Sequence, residues 1–514
     1  MLNIHVCLQV SCSSTELPYK YLLPINKLEA IKVLIKRIQS KKYSVNILTS
    51  NTKPDDYLCN IHKNEKVNIF RGNLNDIYSR FIHFGKKIND EDLIIRITGD
   101  NLLVDKYLLN ELINFYKKNN YDLLSIDRKK SKLPYGISAE LFKYKLLKKW
   151  KPITKYQKKY VTSKLISKEK NQGFYIKNNR KKFSNLRFVL NDVKDYFIIK
   201  TVFEKTKNIK LNYLKICKIL KDIKKKEINN QKIKYSNIIL GSAQFDGKYG
   251  IANKDKLNEK NLNKIFKFAG EIGIDKIDTA FNYKGVHSRI AKNEFSKKFD
   301  IISKGKLNQS KNDSFIDEFN KSLKIFQPNK LKYFLIHNFY DYHGNEKNIY
   351  DILKKNKLIK NKIGISIYSP EELKKINSKF FNLIQIPFNL CDFRWKNINS
   401  EIKKKIVVRS IFLQGIFFCN DDEIPVKIKP EIKKIKTKIK IFVKKFKRFN
   451  SKDLLLNYIK YHNFKGIVVG VDNEIQLKEI FFYLNRPKLK KKQIKEIDQT
   501  LNVSLNVIDP RKWY

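Results

Sequence analysis

GIDKIDTAFNY, residues 273–283, is the stretch whose reading decides the fold. It is a short apolar run closed by an acid, Asp278, with a phenol, Tyr283, five residues further on. The same layout returns downstream: FDIISK (299–304) closes on Lys304 and LKYFLIH (331–337) closes on His337. Further strand candidates lie at 238–240, 362–366, 383–387, 406–411 and 466–471, with helical periodicity at 259–271, 315–326, 371–377 and 453–461 between them. Eight such units in roughly 240 residues have the size and rhythm of a (β/α)8 barrel, with a doubly wound open sheet as the alternative. In a barrel the C-terminal strand ends converge on one mouth, so Asp278, Tyr283, Lys304 and His337 meet there. Each has an ordinary explanation by itself: a helix cap for Asp278, one of 27 tyrosines for Tyr283, one of many lysines for Lys304, a core imidazole for His337. Four such groups at or near successive strand ends are better accounted for as a proton-donating centre.

The whole chain sets the wider bounds. Its 514 residues, 42% hydrophobic and 12% aromatic, suffice for two or three cored domains and exclude a disordered chain. Lys and Arg number 108 against 50 Asp and Glu, a net charge of +58. That charge favours anionic small molecules. The excess is mostly Lys spread along the whole length beside abundant Asn and Ile, as an AT-rich coding bias leaves on solvated helix faces, so nucleic acid is not the expected partner. Six scattered cysteines without a CxxC pair exclude zinc and redox motifs. Neither a signal-peptide pattern nor a membrane-length apolar run occurs, which makes cytoplasmic localisation the expectation.

Residues 1–205 also alternate strands (3–10, 44–49, 67–70, 93–98, 122–126) with helices such as 28–39 and 106–118, the pattern of a layered α/β domain. The Lys-rich stretch 206–234 reads as a helical linker, and residues 235–514 as the barrel domain.

The barrel segments LGSAQFDGKYGI (240–251), GIDKIDTAFNY, ISKGK (302–306), FLIHN (334–338), GISIYS (364–369), LIQIPFN (383–389), VVRSIFLQG (407–415) and GIVVGVDNEIQLKEI (466–480) occur in barrel order. Over roughly 235–485 this set resembles the aldo/keto reductase family. The resemblance implies a catalytic tetrad of Asp278, Tyr283, Lys304 and His337 and an NADP or NAD cofactor. It puts Ser366 and Gln385 on the carboxamide, Ser410, Gln414 and Gly415 along the pyrophosphate, and Gly470 at the last phosphate loop. Ile367 stands where many relatives carry Asn. Asp472 and Gln476 stand where a basic residue often grips the 2′-phosphate, and an acid there suits a ribose hydroxyl. The chemistry agrees: hydride reduction puts charge on the carbonyl oxygen, Tyr283 meets it with a proton, and Lys304 is expected to lower the phenol's pKa.

In the first domain, LQVSCSSTELPYKYLLPI (8–25), FRGNLNDIYSRF (70–81), IIRITGDNLLVD (94–105) and LPYGISAELF (133–142) resemble the cytidylyltransferases of spore-coat polysaccharide and sialic-acid or Kdo activation. The resemblance implies a Rossmann-like nucleotidyltransferase fold with Gln9, Lys20, Arg71, Asp76 and Arg80 as nucleotide-binding candidates and Asp100 as a Mg²⁺ ligand. The first loop departs from the family's QARxGSTRLPGK: Ser11 and Glu16 replace arginines, Ser13 and Tyr19 replace glycines. Asn191, in LRFVLNDVKD (186–195), stands at the second metal aspartate, with Asp192 adjacent.

The expected function is nicotinamide-dependent reduction of a carbonyl, on a sugar or sugar nucleotide of surface polysaccharide. The alternatives are a bifunctional enzyme that also activates a sugar with CTP, and a non-enzymatic anion-binding protein.

Overall fold

The computed structural model describes residues 2–513 apart from 63–64, 120, 162–170, 179–181, 234, 248, 252–255, 284, 307–313, 356, 396 and 502. Lys234, the last residue of the expected linker, and Lys248, within the first barrel motif, lie outside the described residues. The chain divides into two compact units, Met1–Gln231 and Lys232–Tyr514.

The first unit is built on a mixed seven-stranded sheet. Its strands are β1 (Ile4–Gln9), β4 (Ser44–Ser50), β5 (Asn68–Gly72), β6 (Leu93–Thr98), β7 (Leu123–Ile126), β8 (Glu140–Lys143) and β9 (Gln172–Tyr175), in the order β5-β4-β1-β6-β8-β7-β9. A two-stranded hairpin, β2 (Pro24–Ile25) and β3 (Leu28–Glu29), lies apart from it, so the helix expected over 28–39 runs instead as Ala30–Ile38. β1, β4, β5 and β6 are parallel; β8 runs antiparallel to both β6 and β7. β8 and β9 escape a sequence reading because ELFK and QGFY are only four residues each, too short to display a period.

The stretch expected as a linker packs into this unit. Helix Tyr213–Lys221 buries Tyr213, Ile216, Cys217 and Leu220, spaced i, i+3, i+4, i+7 along one face. Tyr213 N–H donates to Asp105 Oδ2 at 2.6 Å, and buried Arg37 donates to the carbonyls of Ile209 and Leu211 at 2.6 and 2.9 Å. Its lysines occupy the outer face, and their number hid the apolar stripe.

The second unit is a closed barrel of eight parallel strands: β10 (Ile238–Gly241), β11 (Lys276–Asp278), β12 (Asp300–Gly305), β13 (Leu331–Ile336), β14 (Ile363–Ser366), β15 (Leu383–Pro387), β16 (Ile406–Arg409) and β17 (Gly466–Gly470). β10 pairs with β17 and closes the ring, so the open-sheet alternative is excluded. Helices follow strands as expected, among them Glu259–Ile272, Ser314–Phe326 and Ser451–Tyr461, and Asn258 and Asn450 cap the first and last of these. β16 is shorter than the expected 406–411 because Ser410 turns into the left-handed region at φ 56° and ends it.

One apolar cluster sets the site above it. Ile239, Ile302, Leu335, Leu383, Val407 and Val468 pack together. Two positions further along the same six strands come Gly241, Lys304, His337, Gln385, Arg409 and Gly470. Side chains two apart share a face of a strand, so these residues sit one layer nearer the C-terminal mouth than the apolar cluster. No described helix is long and apolar enough to cross a membrane.

Candidate active site at the barrel mouth

Lys304 and Asp278 form a buried ion pair, 2% and 5% exposed. Lys304 Nζ donates to Asp278 Oδ1 at 2.8 Å, to Asp278 Oδ2 at 2.7 Å and to the Thr279 carbonyl at 2.9 Å. Three bonds engage all the protons of an ammonium. Gln385 Nε2 adds a fourth contact to the pair, reaching Asp278 Oδ1 at 2.8 Å. Tyr283 sits beside them, its ring centroid 6.0 Å from Lys304 Nζ.

The expected division of labour between these groups changes in one respect. Burial first, and the Asp278 carboxylate second, push the Tyr283 phenol above its ordinary range, and the cation that opposes them is Arg409. Lys304, held at contact distance by Asp278, is not among the groups that lower the phenol. Burial in turn draws Lys304 below the usual lysine range against the pull of Asp278. The main chain of His337, the first residue after β13, is fixed by its backbone N–H donating to the Gly305 carbonyl at 2.9 Å. Burial, followed by the charges of Lys304, Arg409 and Lys306, lowers the pKa of its imidazole to about 3, so the ring is neutral. Its Nδ1 is buried without a partner.

A cleft of about 260 Å³ is lined by Asp278, Tyr283, Lys304, Gln385, Arg409, Ser410, Gln414, Gly415, Gly470, Asp472 and Gln476, among others, while His337 and Ser366 are not part of its lining. Among the expected carboxamide residues, Gln385 is buried with Oε1 lacking any partner, an acceptor suited to an amide N–H. Ser366, 2% exposed, has its hydroxyl 3.4 Å from Arg409. Ser410, Leu413 and Gln414 take φ of 56°, 44° and 53°, and Gly415 86°, a run of left-handed backbone rare outside glycine. That loop is held by Ile251 N–H donating to the Gln414 carbonyl at 3.2 Å. At Gly470 a Cβ would come within 1.8 Å of Gln244 Oε1, so glycine there makes room for that side chain. Gln244 Nε2 donates to Asp472 Oδ1 at 2.9 Å and Gln476 Nε2 to Asp472 Oδ2 at 3.1 Å. The residues present thus fit a nicotinamide dinucleotide: an unfilled amide acceptor, a kinked main-chain loop and a glycine-lined edge.

Arg409 was not anticipated. Its signal was nonetheless the one that marked Lys304 and His337: a polar residue closing an apolar run, here VVR.

In the first unit the expected residues are engaged by groups of the protein itself. Lys20, 5% exposed, lies between Asp100 Oδ2 at 3.5 Å and Asn191 Oδ1 at 3.3 Å. Asp192 caps helix Val193–Thr206 and is not free to replace Asn191. Asp100, the carboxylate expected to meet Mg²⁺, thus has an ammonium beside it, whereas Mg²⁺ takes one or two carboxylates together with phosphate and water oxygens. No group of three or more His, Cys, Asp or Glu among the described residues could hold a metal. Gln9 accepts from Arg96 at 3.0 Å. Arg80 is buried and holds the carbonyls of Asn73 and Leu74, both at 2.7 Å, so its fork clamps the loop after β5. Arg71 pairs with Asp56 at 2.7 Å, and Asp76 caps helix Ile77–Gly85. Tyr19, at a family glycine position, keeps the left-handed backbone at φ 59°, where a side chain is disfavoured.

Comparison with known proteins agrees with both folds. Residues 237–502 match the model of the aldo/keto reductase family and residues 9–238 that of cytidylyltransferases. An uncharacterized protein of Methanocaldococcus jannaschii is 31% identical over 159 residues, 30% of this chain and 63% of that protein. The spore coat polysaccharide biosynthesis protein SpsF of Bacillus subtilis is 28% identical over 153 residues, 29% of this chain and 62% of SpsF. The chain therefore spans less than two thirds of the length of either relative. Among solved structures, a cytidylyltransferase from Leptospira borgpetersenii aligns over 45% of this chain and 98% of its own, at 24% identity and a TM-score of 0.41. An aldo-keto reductase from Bacillus halodurans aligns over 53% of this chain and 95% of its own, at 16% identity and a TM-score of 0.41. With a family model matching more than half of its length, the chain is an enzyme of the aldo/keto reductase family.

Proposed function

We propose that the barrel unit reduces the carbonyl of a sugar or nucleotide-linked sugar with NADH or NADPH, or catalyses the reverse oxidation. The observation that carries this reading is the buried Asp278–Lys304 pair beside Tyr283 in a cleft with an unfilled amide acceptor on Gln385. A bound nicotinamide supplies the hydride, and Ser366 and Gln385 would hold its carboxamide. Tyr283 delivers a proton to the carbonyl oxygen as charge develops there. Asp278 anchors Lys304, and neutral His337 hydrogen-bonds the same oxygen. The sugar class is supported by the kind of protein that SpsF is and by the company of a cytidylyltransferase-like unit, both by association.

Asp472 adds a carboxylate to the cleft edge, which disfavours a 2′-phosphate. We expect NADH to bind at least as tightly as NADPH when the purified protein is titrated with each and nicotinamide fluorescence is followed. No binding of either cofactor would sink the reductase reading.

For the first unit, the ammonium of Lys20 facing Asp100, with Asn191 in place of a second carboxylate, favours a domain that has lost transfer chemistry. Incubation with CTP, Mg²⁺ and acidic sugars is expected to release no pyrophosphate above background. Sustained release would establish the bifunctional alternative.

A further inference from the structure

We propose that Arg409 forms an oxyanion subsite in the reductase cleft, so that the carbonyl compound reduced here carries a carboxylate or phosphate near its reacting carbon. This rests on the reductase reading and narrows its substrate class. Arg409 ends β16 in the same layer as Lys304, His337 and Gln385, and it lines the cleft. Its guanidinium is half-buried, with its carbon 4.2 Å from the centroid of the Tyr368 ring, which braces it.

Its charge has no counter-ion. Among the described residues its hydrogen-bond partners are the hydroxyls of Ser366 and Ser410, each at the long distance of 3.4 Å, and no carboxylate lies within 4.0 Å. Two neighbouring guanidiniums are different. Arg394 forks onto Asp392, both bonds at 2.8 Å, and Arg511, which also contacts the Tyr368 ring, forks onto Asp509 at 2.8 and 2.6 Å. The other cations of the cleft are matched, Lys304 by Asp278 and Lys452 by Glu479 at 3.3 Å, while Asp472 accepts from the amides of Gln244 and Gln476 and keeps its charge. A half-buried guanidinium without a partner is costly unless an anion meets it, and its planar fork matches a carboxylate or phosphate. Arg409 lines the same cleft as Tyr283 and Lys304, so an anion bound to it shares that cleft with the reacting carbonyl.

The test uses the full chain and paired substrates: benzaldehyde against 4-carboxybenzaldehyde, and glyceraldehyde against glyceraldehyde 3-phosphate, with whichever cofactor binds. We expect wild type to prefer one anionic member, and the pair in which it does so identifies the anion. In Arg409→Met that preference, as a ratio of kcat/KM, falls roughly 10- to 100-fold, and Arg409→Lys restores part of it. The cofactor Kd shifts by less than the preference does. Equilibrium binding of 4-carboxybenzyl alcohol against benzyl alcohol to the protein–cofactor complex gives the same comparison without turnover. Equal turnover of neutral and anionic members by wild type overturns the inference while leaving the reductase reading intact. So does a loss in Arg409→Met matched by an equal rise in cofactor Kd, which would assign Arg409 to the cofactor. Absence of cofactor binding and of all carbonyl turnover removes the reading itself, and the inference with it.

Discussion

Tyr283→Phe is expected to lower kcat by roughly 10²- to 10⁴-fold, the span that a positioned proton donor contributes. The change removes one oxygen and leaves the ring that packs beside Lys304. The cofactor Kd and the thermal unfolding profile should therefore stay as in wild type, so the loss appears in kcat with the fold and the cleft intact. A second consequence concerns pH. Burial and the Asp278 carboxylate hold the phenol above its ordinary range, so it stays protonated and able to donate throughout the neutral region. His337, at a pKa of about 3, adds no inflection there. The reductive rate of wild type should then be flat across neutrality. Retention of turnover in Tyr283→Phe, measured as cofactor oxidation with a carbonyl substrate, would exclude Tyr283 as the donor and with it the tetrad.

Asp278→Asn is expected to destabilise the barrel by about 3–5 kcal/mol, as found when one partner of a buried ion pair is removed. The carboxylate receives two bonds from Lys304 and one from Gln385 while 5% exposed. The change removes the countercharge and one of the two carboxylate oxygens, leaving a buried ammonium with the Thr279 carbonyl and one amide oxygen as acceptors. The experiment is urea unfolding followed through the barrel transition, on Asp278→Asn and on the double variant Asp278→Asn, Lys304→Met. Removing the stranded charge should recover a large part of the stability, since replacing both partners costs far less than breaking the pair. Equal midpoints for the single and double variants would show that the pair does not carry the stability assigned to it.

The sequence alone determined the barrel and the layered α/β class of the first unit, and it named Asp278, Tyr283, Lys304 and His337 as candidates for one mouth. Strand and helix periods are local properties, and in a barrel a residue's place at a strand's C-terminal end is enough to send it to the mouth. Asp278, Lys304 and His337 were legible for that reason, and Arg409 carried the same mark. Tertiary structure decided which charges are cancelled. Gln385 meets Asp278 across 107 positions of sequence, three bonds hold Lys304 in place, and Arg409 is the cation that bears on Tyr283. It decided likewise that Arg80 faces main-chain carbonyls, that Lys20 lies between Asp100 and Asn191, and that the Lys-rich stretch around Tyr213 is docked. The physical reason is common to all of these. Residue type and period specify an element and its faces, whereas the electrostatic state of a buried group depends on partners far away in sequence.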